Sequence, residues 1–178
     1  LLAKGRDLKG KKAVVLAGTG PVGMRAAGFF GMEGCEVTIT SRTKERAEEA
    51  AKVIEDRFGF KVAGAAGATD EERSEAVKEA NIVYSAGAIG VQLLPKSAWE
   101  NNPNIELLAD VNAQPPMGIE GVDAMDKGKD YNGKIGYGAL GIGGLKLKLH
   151  RECIAKMFES SEGVYDAEEI YALAKEMA

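Results

Sequence analysis

Three glycines stand at the spacing GxGxxG in GTGPVG: Gly18, Gly20 and Gly23. They follow a short apolar run and open a helical stretch, the context in which this spacing binds a pyrophosphate. Gly18 permits the tight turn, Gly20 lets the backbone approach a pyrophosphate with no side chain in the way, and Gly23 lets the helix pack close on the strand. Thr19, Pro21 and Val22 complete the turn. The helix N-terminus offers free N–H groups and a partial positive charge, and Pro21 at an early helical position has no hydrogen bond to lose.

About 20 residues beyond the first glycine of such a motif, at the end of the second strand, an Asp or Glu ordinarily binds the ribose hydroxyls of NAD. This chain has Thr40, Ser41 and Arg42 there; the nearest acids are Glu36, which starts the strand, and Glu45, which lies in the next helix. Two hydroxyls and a guanidinium suit a 2′-phosphate instead, because Arg presents a planar fork that matches phosphate geometry. Lys44 and Arg46 add positive potential. NADP is the expected cofactor, with NAD as a second one. The alternative is that Arg42 is a solvated surface residue and Ser41 to Thr43 caps the next helix.

Further groups are expected along the carboxyl ends of later strands. SAGAIG (85–90) has small residues, Ser85, Ala86, Gly87 and Ala88, on which a ribose or nicotinamide could lie, and a plain turn reads nearly as well. DVNAQPP (110–116) places Asn112 and Gln114 before a rigid Pro-Pro pair, where they could hold a carboxamide or substrate, or bond their own turn. In GALGIGGLKLKLH (138–150), Leu145, Leu149, Cys153 and Met157 recur at spacing four with Ile154 and Phe158 beside them, which predicts a helix starting near Gly144. Lys146 would then lie in the first turn, where a cation opposes the helix dipole, and that placement hints at a site-facing role. Snorkelling to solvent is the alternative for Lys146 and the better reading for Lys148. His150, the only histidine, reads as structural, and no His-based triad or metal cluster can be assembled.

The elements that must position these groups follow one pattern, a short apolar run, a turn and a helical period. AVVLA (13–17), EVTIT (36–40), KVAGA (61–65), NIVYS (81–85) and IELLADV (105–111) read as buried parallel strands; KIGYG (134–138) adds a sixth. Helices are expected over 21–33, through Ala47, Ala50, Ala51, Ile54 and Phe58, over 71–80, and from Pro95 around Trp99. A terminal helix covers 166–178, with Asp166 and Glu169 at capping-box spacing. Residues 112–133 read as loop. Strands alternating with crossover helices give an α/β fold, a doubly wound parallel sheet of the Rossmann type with C-terminal helices.

Composition agrees with one such domain. The chain has 178 residues, 45% apolar and 28% charged, which excludes disorder and leaves no room for a second large domain. A formal net charge of −4 without a basic run argues against nucleic acid. No apolar run of about 18 residues and no signal-peptide pattern is present, so no membrane partner is expected. Cys35 and Cys153 lack metal or redox spacing and read as buried residues of a reducing cytosol. Because residue 1 is Leu rather than Met, residues 1–11 are expected to lead in from an upstream domain, with 12–178 forming the dinucleotide-binding domain.

GTGPVGMRAA, the SRT after the second strand, SAGAIG with LLP, ADVNAQPPMGI, and above all residues 138–178 make the chain resemble the C-terminal dinucleotide-binding part of the methylene-tetrahydromethanopterin dehydrogenases of methylotrophic bacteria. The likeness covers essentially the whole chain, and its tail is more specific than the glycine motif. It implies a cytoplasmic, NADP-linked enzyme of one-carbon metabolism that oxidises methylene-tetrahydromethanopterin to the methenyl form, with methylene-tetrahydrofolate or NAD accepted by some members. It also implies a homotrimer, and it places Lys146 in the pterin cleft as the candidate catalytic residue. Hydride loss from a carbon between two nitrogens leaves a cation those nitrogens stabilise, so no general base is needed and alignment carries the rate. A cationic Lys146 should therefore orient the pterin by hydrogen bonding, or meet a neutralising acid from the upstream domain. Two alternatives are another NADP oxidoreductase resembling shikimate dehydrogenase, without the GALGIGGLKLKLH tail, and a non-catalytic NADP-binding module.

Overall fold

The computed structural model describes residue 2, residues 5–159 and residues 165–177. Among these described residues, seven strands form one sheet: β1 (Lys12–Leu16), β2 (Glu36–Ser41), β3 (Val62–Ala66), β4 (Ile82–Ser85), β5 (Leu107–Asp110), β6 (Lys127–Tyr131) and β7 (Lys134–Tyr137). Six helices accompany them: α1 (Pro21–Met32), α2 (Lys44–Phe58), α3 (Asp70–Val77), α4 (Lys96–Trp99), α5 (Ala139–Glu159) and α6 (Ala167–Met177). The strand order is β3-β2-β1-β4-β5-β7-β6, all parallel except the β6–β7 pair. The chain winds outward from β1 to β3 and returns to lay β4 against the other side of β1. The order therefore reverses between β1 and β4, where a doubly wound sheet opens a crevice at its carboxyl edge.

The period of two along β1 assigns its side chains to two cores. Ala13 and Val15 pack with Ala27, Phe30, Ala47, Ala51 and Ile54 beneath α1 and α2. Val14 and Leu16 pack with Val77, Leu94, Trp99 and Leu108 on the other face. Both faces are thus covered, which is why these strands read as continuous apolar runs.

Two departures from the sequence reading concern the second half of the chain. Within the stretch expected to be loop, β6 pairs antiparallel with β7 through a hairpin whose turn residues Asn132 and Gly133 both have positive φ, 56° and 90°. Such a turn matches the strand twist and favours Asn-Gly. Lys127, Gly128, Lys129 and Asp130 are exposed, so β6 carries none of the apolar alternation that marks a half-buried strand, and its charges suit a sheet edge.

The long C-terminal helix begins at Ala139, five residues before the expected start at Gly144. Its first turn is held by tertiary partners: the N–H groups of Leu140 and Gly141 donate to the Ala124 carbonyl at 2.8 and 3.0 Å, and that of Gly138 to Asp126 at 2.9 Å. These bonds use donors that a helix start otherwise leaves free. A Cβ on Gly141 would lie 1.8 Å from the Asp126 carbonyl oxygen, so this close seating requires glycine. Lys146 consequently lies two turns inside the helix, and the dipole argument for it falls.

Helix α6 folds back on α1. Tyr171 stacks on Phe29 with ring centroids 4.2 Å apart, and Glu33 accepts from the Tyr171 hydroxyl and Lys175 Nζ, both at 2.7 Å. Arg57 meets Asp166 at 2.7 Å and Glu168 at 2.8 Å. Glu169 reaches back to the Asp166 N–H at 3.0 Å, the reciprocal half of the expected capping box. The Lys175 and Tyr171 bonds hold the Glu33 carboxyl below its ordinary 4.5, and Asp166 and Glu168 are lowered as well, through the Ala167 N–H and Arg57. A depressed folded pKa stabilises above the unfolded value and loses that contribution as pH falls through the folded one. Acidification below about pH 4 is therefore expected to release α6 before the sheet unfolds. Amide exchange followed against pH checks this; protection of α6 that persists until global unfolding would reject it.

Candidate functional site

The glycine turn is built as its spacing requires. A Cβ on Gly18 would meet Ile39 Cβ at 2.7 Å, and one on Gly23 would meet Gly18 Cα at 2.6 Å, so both glycines are imposed by the close packing of α1 on the sheet. Gly20, the N-cap of α1, differs: nothing lies within 4 Å of its Cβ position, and Pro21 opens the helix behind it. Its bare backbone faces open space at a helix N-terminus. A dinucleotide pyrophosphate fits that cradle, and a side chain at 20 would fill it.

Ala17 follows β1 with φ 53°, a left-handed conformation that a residue with a Cβ adopts at a cost. Two bonds from β2 hold it: the Ala17 N–H donates to Thr40 Oγ1 at 3.1 Å and the Gly18 N–H to the Thr40 carbonyl at 2.9 Å. Thr40 thus shapes the glycine turn as well as lining the cavity beyond it.

That cavity, about 410 Å³, lies at the carboxyl ends of β1 to β4 and is lined by Ala17, Thr19, Thr40, Ser41, Arg42, Arg46, Gly67, Ala68, Arg73, Gly87, Ala88, Val91 and Leu93. Thr40, Ser41, Arg42 and Arg46 therefore share one wall, as expected. Thr43, by contrast, caps α2 by accepting from the Arg46 N–H at 3.4 Å. Capping and cavity lining fall on different residues, Thr43 taking the first and Thr40 to Arg42 the second. Arg73 is the group the sequence reading missed. It sits among the acids of DEERSE on α3, where nothing local distinguishes it from an outward-facing cation.

A second cavity of about 650 Å³ is lined by Leu2, Val22, Tyr84, Ala109, Val111, Tyr137, Ala139, Ile142, Gly143, Leu145, Lys146 and Leu149. It joins the glycine turn, through Val22, to α5, and Lys146 supplies its cationic group. No carboxylate among the described residues forms an ion pair with Lys146. Tyr84 and Tyr137 also went unnoticed in the sequence. Burial, with the Asp110 charge adding to it, pushes the Tyr84 phenol up to about 12, so Tyr84 stays protonated at neutral pH.

The remaining expected residues are placed otherwise. Ser85 is fully buried, and its hydroxyl faces the interior: a Cβ on Gly118 would come within 2.2 Å of it. It is absent from the cavity lining, where the neighbouring Gly87 and Ala88 stand. Asn112 is 3% exposed and lines neither cavity; its Nδ2 donates to the Ala88 carbonyl at 3.1 Å and so holds the loop after β4. Gln114 is exposed and lines neither cavity. Asp110, 2% exposed, accepts from the N–H groups of Asn112 and Ile119 at 3.0 and 2.9 Å. Burial raises its pKa against the pull of those N–H groups. It pins the 112–119 loop, which a sequence reader sees only as a polar strand end.

No family model matches the chain. It is 62% identical over 176 residues to the bifunctional protein MdtA of Methylorubrum extorquens, a match covering 99% of this chain and 61% of that protein. It is 35% identical over 176 residues to the NAD(P)-dependent methylenetetrahydromethanopterin dehydrogenase of the same organism, covering 97% and 59%. The chain thus spans about three fifths of the length of these curated relatives. Among solved structures it resembles an L-alanine dehydrogenase, with TM-score 0.56 and 25% identity over 73% of this chain and 36% of that one. It also resembles a transhydrogenase from Sinorhizobium meliloti, with TM-score 0.59 and 18% identity over 78% and 42%. These two likenesses show the Rossmann-type fold.

Proposed function

A chain that matches these two curated proteins along nearly its whole length is their relative, and from that premise we propose that it is the cofactor-binding part of an NADP-dependent oxidoreductase acting on methylene-tetrahydromethanopterin. The product is the methenyl form, and methylene-tetrahydrofolate is a second substrate. The observation that carries the reading is the pair of cavities that the start of α1 separates, one reaching Thr19 and cationic beside Arg42 and Arg46, the other reaching Val22 and aromatic and aliphatic beside Lys146. The finer assignments are a homotrimer in the cytoplasm, with residues 1–11 leading in from an upstream domain.

NADP supplies a hydride acceptor when bound. Thr19, Gly20, Val22 and Gly23 would hold its pyrophosphate by backbone N–H groups, with Gly18 and Pro21 shaping the turn, and Thr40, Ser41, Arg42 and Arg46 would bind the 2′-phosphate by charge-assisted hydrogen bonds. Gly87 and Ala88 supply small residues to the cavity wall, while Ala86, also expected there, packs against the core. The pterin enters the second cavity, where Val22, Tyr84 and Tyr137 exclude water and Lys146 Nζ donates to a pterin acceptor. No residue there has to take a proton, because the carbon that loses hydride becomes a methenyl cation stabilised by its two nitrogens. Lys146 acts by orientation, since a cation beside a developing cation would raise the barrier.

Lys146→Ala in the complete polypeptide is expected to lower kcat/KM for the pterin by about ten- to a hundredfold, leaving the KM for NADP in place. Steady-state turnover of methylene-tetrahydromethanopterin against methylene-tetrahydrofolate, each with NADP and NAD, tests the whole reading. Absence of turnover with both pterins rejects it, and unchanged constants in the variant reject Lys146.

A further inference from the structure

We infer that Arg73 is a positioning residue of the nucleotide cavity, a clasp that joins the loop after β3 to the loop after β4 and so sets the width of the adenosine end. The inference rests on the reading of that cavity as the 2′-phosphate site. Although its helix lies at the surface, the Arg73 side chain is only 11% exposed. Its guanidinium reaches into both loops: Nη1 donates to the carbonyls of Gly67 at 2.7 Å and Ala68 at 2.9 Å, and Nε donates to the carbonyl of Leu93. Nη2 donates to Asp70 at 2.5 Å. Four of the five N–H groups of a guanidinium are thereby committed, three of them to backbone.

The stem of Arg73 also takes part. Gly67 is wedged between Arg73 and β2, and a Cβ there would lie 3.0 Å from Thr40 Cβ and 3.3 Å from Arg73 Cγ. Thr40 in turn holds the strained Ala17. A continuous contact path therefore runs from Arg73 through Gly67 and Thr40 to the phosphate turn, beneath the cavity. Asp70 offsets the Arg73 charge, so Arg73 acts on the cavity's walls and leaves the direct phosphate contact to Arg42. Lysine cannot substitute, because an ammonium has no planar fork with which to hold carbonyls of two loops at once.

The test is calorimetric binding of 2′,5′-ADP and of 5′-AMP to the chain, in the wild type, Arg73→Gln, Arg73→Lys and Arg42→Ala, each verified as folded by circular dichroism. Arg73→Gln is expected to weaken both ligands by about tenfold, as loss of a hydrogen-bonded charged group implies. Arg73→Lys should recover only a small part, and Arg42→Ala should weaken 2′,5′-ADP alone. If Arg73→Gln fails to fold, Arg73→Lys carries the test, with the same joint loss of both ligands expected. Wild-type affinity for both ligands in the folded Arg73 variants overturns the clasp and leaves the 2′-phosphate reading intact. Failure of the wild type to bind 2′,5′-ADP overturns both.

Discussion

Gly20→Asp is expected to leave the fold and thermal midpoint of this chain unchanged while lowering NADP affinity by about a hundredfold, roughly 3 kcal/mol. Stability is spared because no atom lies within 4 Å of the Cβ position at Gly20, and its φ of −83° is open to any residue. Binding is lost for two reasons. The new side chain occupies the space through which the backbone must approach the pyrophosphate, and its carboxylate repels the phosphates in a site made for anions. Titration of NADPH fluorescence, with circular dichroism on the same samples, measures both halves. Substitution at Gly18 or Gly23 cannot separate them, since a Cβ at either position collides with Ile39 or with the backbone of Gly18. A Gly20→Asp variant that binds NADPH like the wild type would remove the glycine turn from the site.

Arg42→Ala carries the second large effect, and its signature is selectivity. Arg42 is exposed and lines the cationic wall with Arg46, so its removal leaves no buried partner stranded. A hydrogen bond to a charged group contributes about 1.5–3 kcal/mol, which corresponds to a rise in the KM for NADP of about ten- to a hundredfold. NAD lacks the 2′-phosphate, so its KM should change by no more than about twofold by the same arithmetic. High salt should narrow the difference between the cofactors in the wild type, because an exposed ion pair is screened. Equal shifts for NADP and NAD would return Arg42 to the status of a surface charge.

The legibility of the fold follows its periodicities. Strands β1, β4 and β5 were readable because a parallel sheet covered on both faces demands apolar runs, β2 and β3 because short apolar stretches stand there between turns, and α1 and α2 because one face must meet that sheet. Edge strand β6 has no such demand on it. Its one local signal was the Asn132-Gly133 turn, which the sequence reading left inside a loop. Much of the candidate site was legible for a related reason: the glycine turn and Thr40 to Arg42 are each a short contiguous stretch, although the contacts that join them, Ala17 and Gly18 to Thr40, are not.

By itself, then, the sequence determined the order of β1 to β5 and of the helices between them, the glycine turn, the cationic stretch after β2 and the absence of an acid there. These are properties of short-range spacing and side-chain chemistry. Tertiary structure alone decided that α5 starts at Ala139, where the Ala124 carbonyl meets its free N–H groups and Gly141 lets Asp126 approach. It also decided that Ser85 is buried, that Asn112 serves a neighbouring loop, and that Arg73 gathers carbonyls from two loops. Each depends on a backbone group distant in sequence, and since every residue but proline carries the same backbone donor and acceptor, the choice among them is made only when the chain is packed.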